Sequence, residues 1–281
     1  MKKSKSLLAS ILLLLVFLAS CSKSNMHFKG VAHTHPYHIQ IGHVLSSKEK
    51  EQVKEVIAKV FNEVDTMYNH WNPNSLLSKE PTSPKLLPIL MLAHHYKKLT
   101  KGRFDPGLGV QLKLFKTHSK LPSGYYPKVY DLDGMLKGFA IDRITSELTE
   151  KGYTNMFIEW GGDIRVQGHH PNKRKWKILV DHTPIEVEDG AFATSGCEEQ
   201  MWDIEDTTYT HIIDPLSGAM LKVENGMVHK VTVKAPTCAL ADALATATMA
   251  CGNFEDALKF AEEVKEEHDV AFWIQSWDIK Q

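Results

Sequence analysis

The glycine pair Gly161-Gly162 constrains this chain more than any other feature. It parts two short strand-like runs, residues 155–160 and 163–167, and so reads as the sharp turn of a hairpin. Directly upstream, residues 137–151 have helical spacing, with Phe139, Ile141, Ile144 and Leu148 inward and Gly152 as the stop. Two more helices precede it. Ser46 and Ser47 cap one whose apolar positions are Val53, Val56, Ile57, Val60, Val64, Met67 and Trp71, and residues 85–99 form the other. Residues 37–41, 176–180, 228–234 and 270–274 read as further strands, and 239–250 as an Ala-rich helix. A last helix opens at the capping pair Asn253 and Asp256. Hairpins interspersed with separate helices specify an α+β fold of mixed or antiparallel sheets, not a doubly wound sheet. No internal repeat divides it, so residues 31–281 are expected to form one domain.

The N-terminus stands apart. Lys2, Lys3 and Lys5 precede an apolar run from Leu7 to Phe17, too short for a bilayer span of ~20 residues but suited to a signal peptide. It runs into Leu18-Ala19-Ser20-Cys21, which resembles the lipobox of bacterial lipoproteins. Residues 1–20 are therefore expected to be removed, Cys21 acylated, and residues 21–30 to act as a tether. The domain is then extracytoplasmic, anchored by lipid to the periplasmic side of a bacterial membrane.

With 33 Lys+Arg against 34 Asp+Glu, the chain lacks the basic excess of a nucleic-acid-binding protein. Its four cysteines exclude a disulfide scaffold and form no CxxC metal site. The histidines His33, His35, His38, His43, His94-His95 and His169-His170 match no compact transition-metal spacing.

Several polar clusters exceed what turning requires. Asp105 precedes Pro106, which biases it to an extended conformation. Asp131-Leu132-Asp133-Gly134 leads to Lys137-Gly138, where a helix start and an ammonium either face an anion or form an ordinary capped terminus. Glu159 and Asp163 flank the glycine turn. Ser195, in Thr194-Ser195-Gly196, lacks the GxSxG elbow of a nucleophile and ranks as a binding residue. Asp242 and Thr246 are i and i+4 on a helix otherwise made of small and apolar residues, so both oxygens leave one face. That spacing suits a hard cation such as Mg²⁺ as well as it suits a structural polar pair.

Together these pieces resemble the ApbE-type FAD:protein FMN transferases. The resemblance rests on Trp71-Asn72-Pro73-Asn74-Ser75, Phe104-Asp105-Pro106, Asp131 to Asp142, Glu159-Trp160-Gly161-Gly162-Asp163, Thr194-Ser195-Gly196, His211-Ile212-Ile213-Asp214-Pro215 and Ala241-Asp242-Ala243-Leu244-Ala245-Thr246, in the family's order. It implies FAD as substrate, Mg²⁺ as cofactor, and transfer of FMN to a Thr or Ser hydroxyl of an acceptor protein, with release of AMP. The acceptors implied are extracytoplasmic subunits of membrane respiratory complexes. Flavin contacts would fall on Ala32, Trp71, Arg103, Phe104, Asp105, Asp131, Lys137 and Leu221. Metal contacts would be the Gly134 carbonyl and the side chains of Asp242 and Thr246. Trp71 and Phe104 would offer ring surfaces, and His211, with an unperturbed pKa near neutrality, would exchange a proton or hold a phosphate.

Some positions depart from the family pattern. Ala32-His33-Thr34 replaces Met-Gly-Thr, Asp133 and Leu136 replace smaller residues, Pro81 replaces an Asn, and Cys197 replaces an acid. Ala245 stands where some members carry a second carboxylate, a loss that Asp133 is expected to offset. Two other outcomes use the same pocket: a Mg²⁺-dependent FAD pyrophosphatase, or a flavin-binding lipoprotein without catalysis.

Overall fold

The computed structural model describes residues 26–116, 129–197, 200–204 and 206–277. The leader and Cys21 lie outside the described residues. The chain enters as a hairpin of β1 (Met26–Ala32) and β2 (His35–Ile41), paired from Met26↔Ile41 to Ala32↔His35. Residues 26–30, expected as tether, are thus strand. Phe28 is the one buried side chain of β1, so no apolar alternation reveals it in the sequence.

Helix α1 (Ser47–Glu63) opens with a reciprocal cap: Ser46 Oγ accepts from the Glu49 amide at 3.3 Å, and the Glu49 carboxylate accepts from the Ser46 amide at 2.7 Å. It continues as one π turn, Val64–Tyr68. The helical face expected to reach Trp71 therefore stops short, and Trp71 lies on the following turn, 39% exposed. Then come α2 (Leu76–Lys79), a 3₁₀ turn (Pro84–Leu86), α3 (Leu87–Leu99) and α4 (Gly109–Lys116). Helix α5 (Asp133–Glu150) begins four residues before the expected start at Lys137. The Asp131 carboxylate receives the Asp133 amide at 2.8 Å, and the Leu132 carbonyl receives those of Met135 and Leu136. Gly134, which reads as a turn residue, is thereby enclosed in the first helical turn.

The strands β3 (Met156–Trp160), β4 (Asp163–Gln167), β7 (Gly190–Gly196), β11 (Val228–Ala235) and β12 (Ala271–Ser276) join β1 and β2 in a seven-stranded sheet ordered β1-β2-β3-β4-β7-β11-β12. Every neighbouring pair is antiparallel. Gly161 and Gly162 take φ of 56° and 90° and close the β3–β4 hairpin, as the glycine pair predicts. The hairpin β5 (Trp176–Val180) and β6 (Thr183–Val187) covers one face of the sheet through Trp176, Ile178, Val180 and Val187, against Val166 and Phe192. The other face receives α5 and α6 (Cys238–Met249), and α7 (Phe254–Glu267) packs on β12. A three-stranded sheet, β10-β9-β8, comprises β8 (Met201–Ile204), β9 (Thr207–Ile213) and β10 (Met220–Lys222), with α4 packed against β9. The fold is α+β, with the large core between α1, α5, α6 and the sheet. Among the described residues no helix is long and apolar enough to cross a membrane.

Candidate active site

Helices α5 and α6 run antiparallel at very close approach, and three steps along the seam fix their register. Asp142 accepts the amides of Cys238 and Ala239, both at 2.9 Å, which caps the start of α6. One turn on, the Gly138 amide donates to Asp242 Oδ2 at 3.1 Å. After another turn, Thr246 Oγ1 donates to the Gly134 carbonyl at 3.3 Å. Backbone atoms require glycine at the first crossing point, and the Thr246 side chain crowds the second. A Cβ on Gly138 would lie 2.2 Å from the Cys238 carbonyl oxygen, and one on Gly134 would lie 2.9 Å from Thr246 Oγ1. The i, i+4 spacing of Asp242 and Thr246 thus meets a matching spacing on the facing helix.

Because the helix begins at Asp133, Lys137 lies in its second turn and not at its start. Its Nζ lies 3.0 Å from Asp163 and 3.7 Å from Asp242, while its stem passes beside the Gly161 turn near His35. Asp163 is fully buried, and its second oxygen accepts the Thr194 amide at 3.2 Å. Burial pushes the carboxyls of Asp163 and Asp242 above their usual range, against the pull of Lys137. Burial also works against the Lys137 ammonium, but the two carboxylates outweigh it and raise its pKa. The buried cluster thus sets one cation between two carboxyl groups. Asp163 was quoted in the sequence only as a turn carboxylate; its burial is a tertiary property that the Gly-Gly hairpin creates.

The donor set fits a hard cation. Asp242 and Thr246 lie one turn apart on α6, Thr246 bonded to the Gly134 carbonyl and Asp242 to the Gly138 amide, so a carboxyl, a hydroxyl and a carbonyl, all oxygen donors, line this stretch of the seam. Asp133, expected to offset the missing second carboxylate, lies near enough to act on the Asp242 carboxyl but makes its own contacts elsewhere. Its Oδ2 accepts the Trp71 indole N–H at 2.7 Å, and its Oδ1 faces His70 at 3.8 Å.

Around this centre the remaining candidates divide. Trp71, Asp131 and Asp133 meet at the start of α5, with the Lys113 ammonium 5.8 Å from the Trp71 ring. Phe104 offers no open ring surface: it is 3% exposed, in the core, with its amide held by Thr100 Oγ1 at 3.0 Å. Asp105 pairs with Lys97 and also accepts the Gly107 amide at 2.9 Å. The Ala32 carbonyl receives the Trp160 indole N–H at 3.1 Å, at a turn where His33 and Thr34 take positive φ. Leu221 packs beside Gly252 at the end of α6, and Leu216 beside Gly102, next to Arg103. His211 sits on β9, with its Nδ1 3.2 Å from the Gln200 carbonyl. Cys197, Cys238 and Cys251 are buried, and burial pushes the Cys251 thiol up to about 12.

Sequence reasoning missed His70. It lies one residue before Trp71, buried between Asp131 and Asp133, and among the described residues these three alone form a group with metal-like spacing. The histidines singled out in the sequence do not assemble so.

The comparisons with known proteins agree with this architecture. The ApbE family model matches residues 127–272. A FAD:protein FMN transferase of Chlamydia trachomatis is 34% identical, over 90% of this chain and 94% of its own. One of Vibrio cholerae is 27% identical, over 88% and 86%. The ApbE protein of Thermotoga maritima superposes with a TM-score of 0.74 at 23% identity, over 90% of this chain and 94% of its own, and so has the same fold. From a structure with that fold, a family match through both helices of the seam, and relatives alike from end to end, the chain belongs to the ApbE family.

Proposed function

We propose that this chain transfers FMN from FAD to a Thr or Ser hydroxyl of an acceptor protein and releases AMP. The observation that carries the reading is the register-locked seam, which brings Gly134, Asp242 and Thr246 together beside Lys137 and Asp163. The curated relatives named FAD:protein FMN transferase give the reaction class. In the reaction the acceptor oxygen forms a bond to the FMN phosphorus, the anhydride P–O bond breaks, and the bridging oxygen leaves with AMP. The hydroxyl proton passes to a base, for which His211 is the candidate. Asp242, Thr246 and the Gly134 carbonyl would hold Mg²⁺, which supplies charge neutralisation on the pyrophosphate. Lys137 offsets part of the burial that favours the neutral acid at Asp242 and aims its carboxyl, and Asp163 holds Lys137 in place. Trp71 presents an indole face to a flavin or adenine ring.

The acceptor is an extracytoplasmic subunit of a membrane respiratory complex, and Cys21 carries the lipid anchor. With β1 beginning at Met26, five residue steps separate the anchor from the fold, a reach of at most roughly 18 Å. The enzyme on this reading works close to the bilayer, where such an acceptor is found.

The test incubates the full chain with FAD, MgCl₂ and a periplasmic acceptor domain of a respiratory sodium pump. Flavin fluorescence of the denatured acceptor and AMP are read together. Covalent label and AMP in equal amounts, both abolished by EDTA, are the expected result. AMP without label at any acceptor concentration would establish the pyrophosphatase instead, and FAD binding without AMP would leave a carrier.

A further inference from the structure

We infer that His70, Asp131 and Asp133 form a second cation site, for a borderline divalent metal of the Zn²⁺ or Co²⁺ class. The ligand atoms of the three residues lie within 4.8 Å of one another. The His70 ring is 2% exposed and lies between the carboxylates, with Nε2 3.6 Å from Asp131 Oδ2 and Nδ1 3.8 Å from Asp133 Oδ1. Those separations exceed a hydrogen bond and approach the ~3.0–3.4 Å between ligands that share one ion at bond lengths near 2.1 Å.

Each carboxylate is oriented by one oxygen and turns the other to the imidazole. Asp131 uses Oδ1 to accept the Asp133 amide, and Asp133 uses Oδ2 to accept the Trp71 indole N–H. Metal-ligating carboxylates are typically fixed in this way by a neighbouring donor. A neutral imidazole and two carboxylates carry two negative charges, which one divalent ion balances. The aromatic nitrogen separates this set from the oxygen-only group at Asp242: imidazole suits Zn²⁺ and Co²⁺, whereas Mg²⁺ prefers oxygen and water. Asp133, 49% exposed, leaves the ion an open side for water or substrate oxygen.

The two sites adjoin along the chain, because Gly134 follows Asp133 directly. An ion held here would fix Trp71 through its hydrogen bond to Asp133, and would place positive charge where the resemblance puts a flavin contact on Asp131. The metal site itself does not depend on the transfer reaction.

The experiment strips the full chain in detergent with EDTA, restores excess Mg²⁺, and titrates Co²⁺ while recording its visible spectrum. One equivalent of Co²⁺ is expected to bind despite Mg²⁺. It is expected to persist in Asp242→Asn and to weaken at least about tenfold in Asp133→Asn and in His70→Gln, since even supporting groups cost 10–100-fold. Asp133→Asn carries the test if the buried His70→Gln fails to fold, because Asn still accepts the indole N–H. No binding in the presence of Mg²⁺, binding unchanged in Asp133→Asn, or binding lost only in Asp242→Asn would each overturn the assignment.

Discussion

Replacing Gly138 by alanine adds one methyl group at the tightest point of the seam. That Cβ would lie 2.2 Å from the Cys238 carbonyl oxygen, 2.4 Å from its carbon and 2.6 Å from the Ala239 nitrogen, so every offending atom is backbone. No side chain can rotate away. Relief to an ordinary contact beyond 3.4 Å requires α6 to retreat by about 1.2 Å. Alanine would favour the helix by ~1 kcal/mol over glycine, whereas overpacking a tight core costs ~1–3 kcal/mol and more when backbone must move. The overpacking prevails, and the expected net loss of ~1–2 kcal/mol lowers Tm by roughly 2–8 °C at about 2–4 °C per kcal/mol. The same retreat breaks the Gly138–Asp242 hydrogen bond and displaces Thr246 from Gly134. A misplacement near 1 Å can cost ~10²-fold in rate, so FMN transfer should fall far more than stability. Urea unfolding and initial rates of acceptor labelling measure the two effects. An alanine variant as stable as the parent, with full transfer, would refute the claim that this crossing sets the site's geometry.

Asp242→Asn should reduce transfer at least ~10²-fold with Tm nearly unchanged, because Lys137 keeps Asp163 and the amide oxygen can still accept from Gly138. Lys137→Met is expected to be the less stable variant, by roughly 3–5 kcal/mol in urea unfolding, since it leaves two buried carboxylates without their cation. Burial raises the Asp142 carboxyl to about 6 from 3.8, so its contribution to stability is complete below pH ~4 and is lost as pH rises through 6, a swing of up to ~3 kcal/mol. Asp142→Asn lacks that swing. The stability difference, wild type minus variant, should therefore fall between pH 4 and 7, and a flat difference would contradict the burial argument. Trp71→Phe keeps the ring and loses the indole donor to Asp133, so FAD binding by fluorescence titration should weaken less than in Trp71→Ala.

How much of this was legible in the sequence depends on the range of the interaction concerned. The Gly161-Gly162 hairpin, the cap at Ser46 and the shared face of Asp242 and Thr246 are local, and periodicity or turn chemistry exposes each. The early start of α5 is local too, but Gly134 in its first turn reads as a breaker. Only the approach of Thr246 explains a glycine there. Strand β1 escaped because an edge strand with one buried side chain carries no pattern. Phe104 was read by residue type as a stacking surface, whereas burial decides whether a ring has an open face.

The partners that complete the centre were not legible, because the seam joins residues 96 to 112 positions apart. Sequence alone presents Asp242 and Thr246 as half of a ladder whose other rungs are two glycines and one carboxylate. A glycine that accommodates a neighbouring helix looks the same as one that turns a chain. His70 is the sharper case. The helical reading runs past it from Met67 to Trp71, so it occupies an off-face position and attracts no notice. The one local hint is the acid at 133, where the family pattern has a small residue. An added carboxylate beside a helix start raises the question of which positive or metal-binding group balances it. The fold places His70 there, buried between this carboxylate and Asp131. A departure from a family's pattern is thus informative when it is traced to the neighbours that the fold sets beside it.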